Sequence, residues 1–195
     1  MRSIRSEGSI TGVRQSILQA LYLFLPAYAA TMAPVVAKRF HLFSSLAWPL
    51  DRGMMFYQQP FLGPHKTFRG ILAGILAAIG TAALQRLGAQ RSDFFSSLSS
   101  EPHLLYSPIL WGSALGGGAL LGDLVKSFIK RRFGIPPGRR WFPWDQLDQV
   151  IGALLIGWLL YPFSWATVLI LLLVTPLLSL VVNIGGYLLS VKEAW

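Results

Sequence analysis

The chain has 195 residues, 53% of them apolar and only 13% charged, about half the ~25% charge of an ordinary soluble domain. That excludes a soluble globular fold of this size, and the abundance of Leu, Ile, Val and Phe excludes disorder. Seventeen Lys and Arg against eight Asp and Glu leave a net charge of +9, which fits a membrane protein before a nucleic-acid binder. With no cysteine, disulfides, thiolate nucleophiles and Cys-ligated metals are excluded.

Five stretches are each long and apolar enough to cross a hydrocarbon core, which takes about 20 residues. They run 16–37, 68–88, 103–123, 146–162 and 164–190, with no Lys, Arg, Asp or Glu in mid-span. The expected fold is therefore an all-α integral membrane protein of about five transmembrane helices. It forms a single membrane domain over 1–195, with a basic N-terminal extension over 1–15.

The first span carries Pro26 and Pro34 and the fifth Pro176, so kinks are expected where neighbouring helices re-satisfy the backbone. Arg2, Arg5 and Arg14 before the first span also have the layout of a signal peptide ending at Ala27-Tyr28-Ala29. The apolar run continues well past that point. Between the first two spans lies Gly63-Pro64-His65-Lys66-Thr67-Phe68-Arg69-Gly70. Lys66 and Arg69 could reach phosphates there, aided by a helix N-terminus, although the spacing is not that of a Walker loop.

The third span contains Gly112, Gly116, Gly117, Gly118 and Gly122, a spacing of small residues that favours close helix packing in lipid over a phosphate cradle. After it comes a segment holding six of the seventeen basic residues and bracketed by Asp123, Asp145 and Asp148. Asp123, Ser127 and Lys130 fall at i, i+4 and i+7, on one helical face. Gly134, Pro136 and Pro137 end that helix. Asp145 and Asp148, spaced i, i+3, share a face at the start of the fourth span. The layout predicts a helical hairpin with Asp123 at the membrane boundary and 124–145 as a cytoplasmic catalytic loop. Three carboxylates among Lys and Arg suit a divalent metal and a polyphosphate, because Mg2+ takes one or two carboxylates together with substrate phosphates. The plainer reading is two acids at a helix N-terminus beside a positive-inside anchor.

Basic residues number twelve on the side of that loop and five on the other, which predicts the N-terminus outside and the C-terminus inside the cytoplasmic membrane. Trp48, Trp141, Trp144 and Trp165 near the span ends suit interfacial anchors.

Gly122-Asp123-Leu124, Ser127-Phe128-Ile129-Lys130-Arg131-Arg132, Gly134-Ile135, Pro137-Gly138 and Asp145-Gln146-Leu147-Asp148 together resemble the signature of the CDP-archaeol synthase family, itself related to the phosphatidate cytidylyltransferases. Leu25-Pro26-Ala27-Tyr28-Ala29-Ala30, Ala33-Pro34, Pro49-Leu50-Asp51 and Lys66-Thr67-Phe68-Arg69-Gly70 look like further landmarks of it. The resemblance implies a membrane enzyme that uses CTP and Mg2+, or another divalent or monovalent ion, to turn a membrane lipid phosphate into a CDP-lipid and pyrophosphate for phospholipid biosynthesis. It implies Asp123, Asp145 and Asp148 as metal and catalytic residues. Lys66, Arg69, Lys130, Arg131, Arg132 and Ser127 become nucleotide- or phosphate-binding candidates. Thr67, Gly70, Pro137, Gly138 and Asp51 are supporting ones. Thr31 stands where the family has Asn, and no acid follows Asp51 in the approach Gln58-Gln59-Pro60-Phe61-Leu62. The lipid is therefore either an ether-linked archaeal phosphate or a diacyl phosphatidate.

A small transporter or channel is the alternative of another class, but it would place charge in mid-span. A non-catalytic lipid-binding protein accounts for the basic loops but not for three acids among them. Nucleic acid is excluded as a partner for want of a soluble domain to carry it, and a homo-oligomer stays open.

Overall fold

The structure is a computed structural model, and it describes residues 4–99, 102, 105–137, 139 and 141–188. Among these are seven helices: α1 (Ile4–Leu23), α2 (Leu25–Arg39), α3 (Phe68–Arg91), the short α4 (Asp93–Leu98), α5 (Pro108–Arg132), α6 (Trp144–Trp158) and α7 (Trp165–Leu188). An all-helical fold is corrected in one detail. Met55–Phe56 and Gln59–Pro60 pair as a two-stranded antiparallel hairpin, β1 and β2, in the loop between α2 and α3. Its central residues Tyr57 and Gln58 both have positive φ, as a tight hairpin turn matching strand twist requires.

The protein is a mostly helical membrane protein. Helices α3 and α5 are each long and apolar enough to cross a bilayer, and α1 with α2 make a third such unit bent by 47°. Large apolar side chains stay exposed along one stripe of α7, at Leu169, Leu173, Leu177 and Val181. That four-residue spacing marks one apolar helix face left uncovered by the described residues. Under it, Phe24, Trp111, Leu115, Val150, Ala153, Phe163 and Leu171 form a buried core joining the α1–α2 junction with α5, α6 and α7.

The bend of the first unit falls at Phe24, just before Pro26. Proline lacks the N–H that would bond four residues back, which frees the Tyr22 carbonyl. The side-chain amide of Gln85 on α3 donates to that oxygen instead. Pro34 frees the Ala30 carbonyl in the same way without breaking α2. There α3 presents Gly74, where a Cβ would start 2.7 Å from the Ala30 oxygen. Of the three expected proline sites, Pro26 is met by a donor on α3 and accompanied by a sharp bend, Pro34 is met by the close approach of Gly74, and Pro176 lies inside the continuous α7.

The third expected span is shifted. Ser107 caps α5, its hydroxyl accepting from the Leu110 N–H at 3.2 Å, so the helix starts at Pro108, and residues 103 and 104 lie outside those described. At 1.5 Å per residue Asp123 is about 22 Å along that helix, short of the ~30 Å hydrocarbon thickness. Helix α5 continues unbroken past Asp123 through Arg132.

Replacing Gln85 by Leu removes the side-chain donor to the Tyr22 carbonyl, a loss of about 0.5–1.5 kcal/mol. Pro26→Ala in the same chain supplies the missing backbone donor and restores most of it. Unfolding of the single and double variants in detergent checks the pair; a double variant as unstable as Gln85→Leu would contradict the assignment.

Candidate active site

Helices α5 and α6 touch backbone to backbone. A Cβ at Gly118 would lie 2.5 Å from the Gly152 carbonyl oxygen, one at Gly152 2.2 Å from that of Gly118, and one at Gly122 2.1 Å from that of Asp148. No side chain fits at these three points, so glycine allows a contact that any other residue would prise open. The other face of the run, at Gly112 and Gly116, meets α3 at Ile79 and Ala78. The glycines serve helix packing.

This contact sets Asp123 of α5 beside Asp148 of α6. One ammonium group joins the acids: Lys126 Nζ lies 3.2 Å from Asp123 Oδ1, 3.2 Å from Asp145 Oδ1 and 2.8 Å from Asp148 Oδ2. Lys66, from the loop before α3, pairs with Asp123 on its other oxygen. Lys130, one turn beyond Lys126, donates to both oxygens of Asp145 at 3.1 and 3.0 Å. The Trp141 N–H also donates to Asp145. Three carboxylates and three ammonium groups thus form one network at one end of the bundle. Arg86 and Arg91 lie at the opposite end of α3 from Lys66.

Lys126 is the residue that sequence spacing passed over. Its i, i+3 relation to Asp123 was the available signal. Ser127, by contrast, is buried on α5, and Lys130 reaches Asp145 rather than Asp123.

The basic residues that follow have other partners. Arg131 donates to the carbonyls of Leu62 and Ile135. Arg132 donates to those of Phe56 at 2.6 Å and Pro60 at 2.7 Å, with its guanidinium stacked over the Phe56 and Phe128 rings. Both therefore tie the β1–β2 loop to the end of α5. Arg69 is half-buried in the first turn of α3. Thr67 caps that helix, accepting from the Gly70 N–H at 3.2 Å, and Gly70 packs on Pro34. Gly138 lies outside the described residues.

The loop that delivers Lys66 is organised by Asp51. Its buried carboxylate accepts from the N–H groups of Gly53 at 3.1 Å and of Leu62 and Gly63 at 2.9 Å. The Leu50 N–H donates to the Lys66 carbonyl at 2.7 Å. Gly63 has φ of +107°, a backbone conformation that favours glycine, and Arg131 Nε and Pro137 pack beside it. Pro137 thus helps to seat the loop. Burial pushes the Asp51 carboxyl up, but the three N–H donors outweigh it and hold the group below its ordinary 3.8.

Beside the ionic network, a groove of about 630 Å³ opens between α5 and α6. Its walls are apolar, among them Leu121, Val125, Ile129, Phe133, Trp144 and Leu155, and its two charged lining residues are Lys126 and Asp148. An apolar trough that ends on charged groups suits a molecule with a lipid tail and an anionic head. Among the described residues no three His, Cys, Asp or Glu side chains are grouped so as to hold one metal ion by themselves.

The sequence profile of the CDP-archaeol synthases matches residues 13–195. A CDP-archaeol synthase of Methanospirillum hungatei is 38% identical over 87% of this chain and 98% of its own length. That of Methanocaldococcus jannaschii is 33% identical over 92% and 97%. A solved structure of an intramembrane enzyme for archaeal membrane lipid biosynthesis superposes with a TM-score of 0.69 at 33% identity, covering 86% of this chain and 94% of that one.

Gly122→Ala forces a Cβ against the Asp148 carbonyl and costs about 1–3 kcal/mol, with turnover falling at least about tenfold as the acids separate. Gly117→Ala, where a Cβ meets only Ile75 at 3.6 Å, leaves both nearly unchanged. Thermal unfolding and turnover of the two variants distinguish them, and equal effects would contradict the helix contact as the organiser.

Because the folded-state value of Asp51 is lowered, its contribution to loop order is fully present above its ordinary value and is lost as pH falls through the lowered one. Pepsin cleavage between Gly53 and Leu62 should therefore stay slow at pH 5 and rise below about pH 4. Asp51→Asn should be cleaved at both. Cleavage of the wild type that is equal at both values would remove the Asp51 anchor.

On the profile match, the relatives and the shared fold, the chain belongs to the CDP-archaeol synthase family, a family of CTP-dependent nucleotidyltransferases.

Proposed function

We propose that the Asp123–Asp145–Asp148 cluster with Lys66, Lys126 and Lys130 is the reaction centre, and that the lipid phosphate reaches it along the α5–α6 groove. The observation that supports this most is the meeting of the two: among the described residues, the groove's charged lining residues, Lys126 and Asp148, are members of the ionic network. The relatives are CDP-archaeol synthases, which favours an archaeal ether lipid phosphate as the acceptor over a diacyl phosphatidate.

In the reaction, an oxygen of the lipid phosphate attacks the α-phosphorus of CTP. A new P–O bond forms, the bond from that phosphorus to the bridging oxygen of the β-phosphate breaks, and pyrophosphate leaves with the electron pair. The attacking group is already an anion, so no protein nucleophile is needed. Repulsion between two phosphates is the obstacle, and fixed positive charge is what lowers it. Lys66 and Lys130 enter the cluster from two sides and would neutralise the triphosphate. The glycine contact holds the acids and lysines in place before substrate arrives.

A divalent ion such as Mg2+ suits this donor set. Asp148 and Asp123 or Asp145 would hold it with one or two carboxylates, nucleotide phosphates completing the shell, and it would supply further charge neutralisation at the phosphates. Arg131, Arg132 and Asp51 support the reading indirectly, by fixing the loop that carries Lys66. Arg69 and Ser127 border the site as candidates for contact with substrate phosphate or ribose.

We further infer five spans, α1 with α2 counting as one, followed by α3, α5, α6 and α7. The N-terminus is outside and the site end faces the cytoplasm, where CTP is available. The excess of Lys and Arg at the site end supports that orientation.

Purified protein with labelled CTP, Mg2+ and a panel of ether-linked and diacyl lipid phosphates tests the assignment. CDP-lipid and pyrophosphate should appear only with a lipid phosphate present, most with the archaeal ether form. Asp145→Asn and Asp148→Asn should each lose at least about a hundredfold in turnover, the scale of a lost transition-state charge contact. Full turnover in both variants would remove the acids from the mechanism.

A further inference from the structure

Lys126 differs from the other two lysines in where its charge sits. Lys66 and Lys130 each approach one carboxylate from its outer side. Lys126 Nζ lies between all three acids, at 2.8–3.2 Å from one oxygen of each. Its side chain is only 15% exposed, and that of Asp148 only 7%. This is the position of a bound cation, filled by a group on the chain itself.

Two consequences follow from elementary electrostatics. Three carboxylates and three ammonium groups cancel, so the cluster as it stands has no net charge with which to attract another cation. A small divalent ion also needs carboxylate oxygens at about 2.0–2.1 Å, and one oxygen of each acid already lies against the ammonium nitrogen. Ion and ammonium cannot share that space, since both are positive and would contact the same oxygens. Lysine is suited to yielding, being a compact charge on a flexible four-carbon stem. Lys126 also lines the α5–α6 groove, so its stem has open space into which to turn.

We propose that Lys126 is a tethered counter-cation that keeps the three acids together until a divalent ion displaces it, so that metal entry frees its ammonium toward the groove. The proposal rests on the metal reading above and adds an order of events. The acids are never left as an uncompensated cluster, and Lys126 becomes available to an anionic headgroup only once the metal is in place. It acts as a positioning residue for the acids and the ion.

The test uses Mn2+ as a paramagnetic probe, without nucleotide, on the full chain in detergent. Lys126→Gln should bind Mn2+ at least about tenfold more tightly than wild type, because a competing charge at contact distance is removed. Lys126→Arg, which keeps the charge, should stay close to wild type. Asp148→Asn should weaken binding. Independently, reductive methylation of wild-type protein, read residue by residue by mass spectrometry, should show Lys126 modified several-fold faster with saturating Mg2+ than without. That second measurement needs no variant, so a misfolded Lys126→Gln does not block the test. Binding by Lys126→Gln equal to or weaker than wild type, or labelling of Lys126 indifferent to Mg2+, overturns the proposal while leaving the metal reading intact. No Mn2+ binding by any of the proteins overturns both.

Discussion

The close contact of α5 with α6 is the constraint on which the rest depends. With Gly118, Gly122 and Gly152 at the seam, backbone meets backbone, and acids on two different helices come within reach of one lysine. Lipid offers little hydrophobic drive for helices to associate, so small residues that permit close packing carry more of that task than in water. The same contact that holds the pair together therefore also assembles the ionic network.

Charge neutrality is the second condition. Isolated buried carboxylates would be costly, and a buried charge is tolerated where it is paired and hydrogen-bonded. Here each acid has at least one lysine. The arginines beyond them tie down the loop from which Lys66 comes, through carbonyls of Phe56, Pro60 and Leu62. Part of the +9 charge is thus structural and part compensates the acids.

Much of this was legible in the sequence where local periodicity carries the information. The apolar runs, the Gly spacing, and the meeting of Asp123 with Asp145 and Asp148 across a hairpin all follow from spacing and composition. Contacts between distant segments were not legible. Nothing local says that Arg132 stacks on Phe56 and Phe128, or that Asp51 gathers the N–H groups of Leu62 and Gly63. The bend at Phe24 was expected near Pro26, but its partner, Gln85, lies 63 residues away. Lys126 was passed over because a lysine in a basic run reads as one charge among six. Only its position between two helices sets it apart.

The most direct measurement is an experimental structure of this chain in lipid with CTP and Mg2+ bound. The triphosphate should lie at the Asp123–Asp145–Asp148 end, within contact of Lys66 and Lys130, with a lipid chain along the α5–α6 groove. A triphosphate bound away from these acids, for example beside Arg86 and Arg91 at the far end of α3, would contradict it.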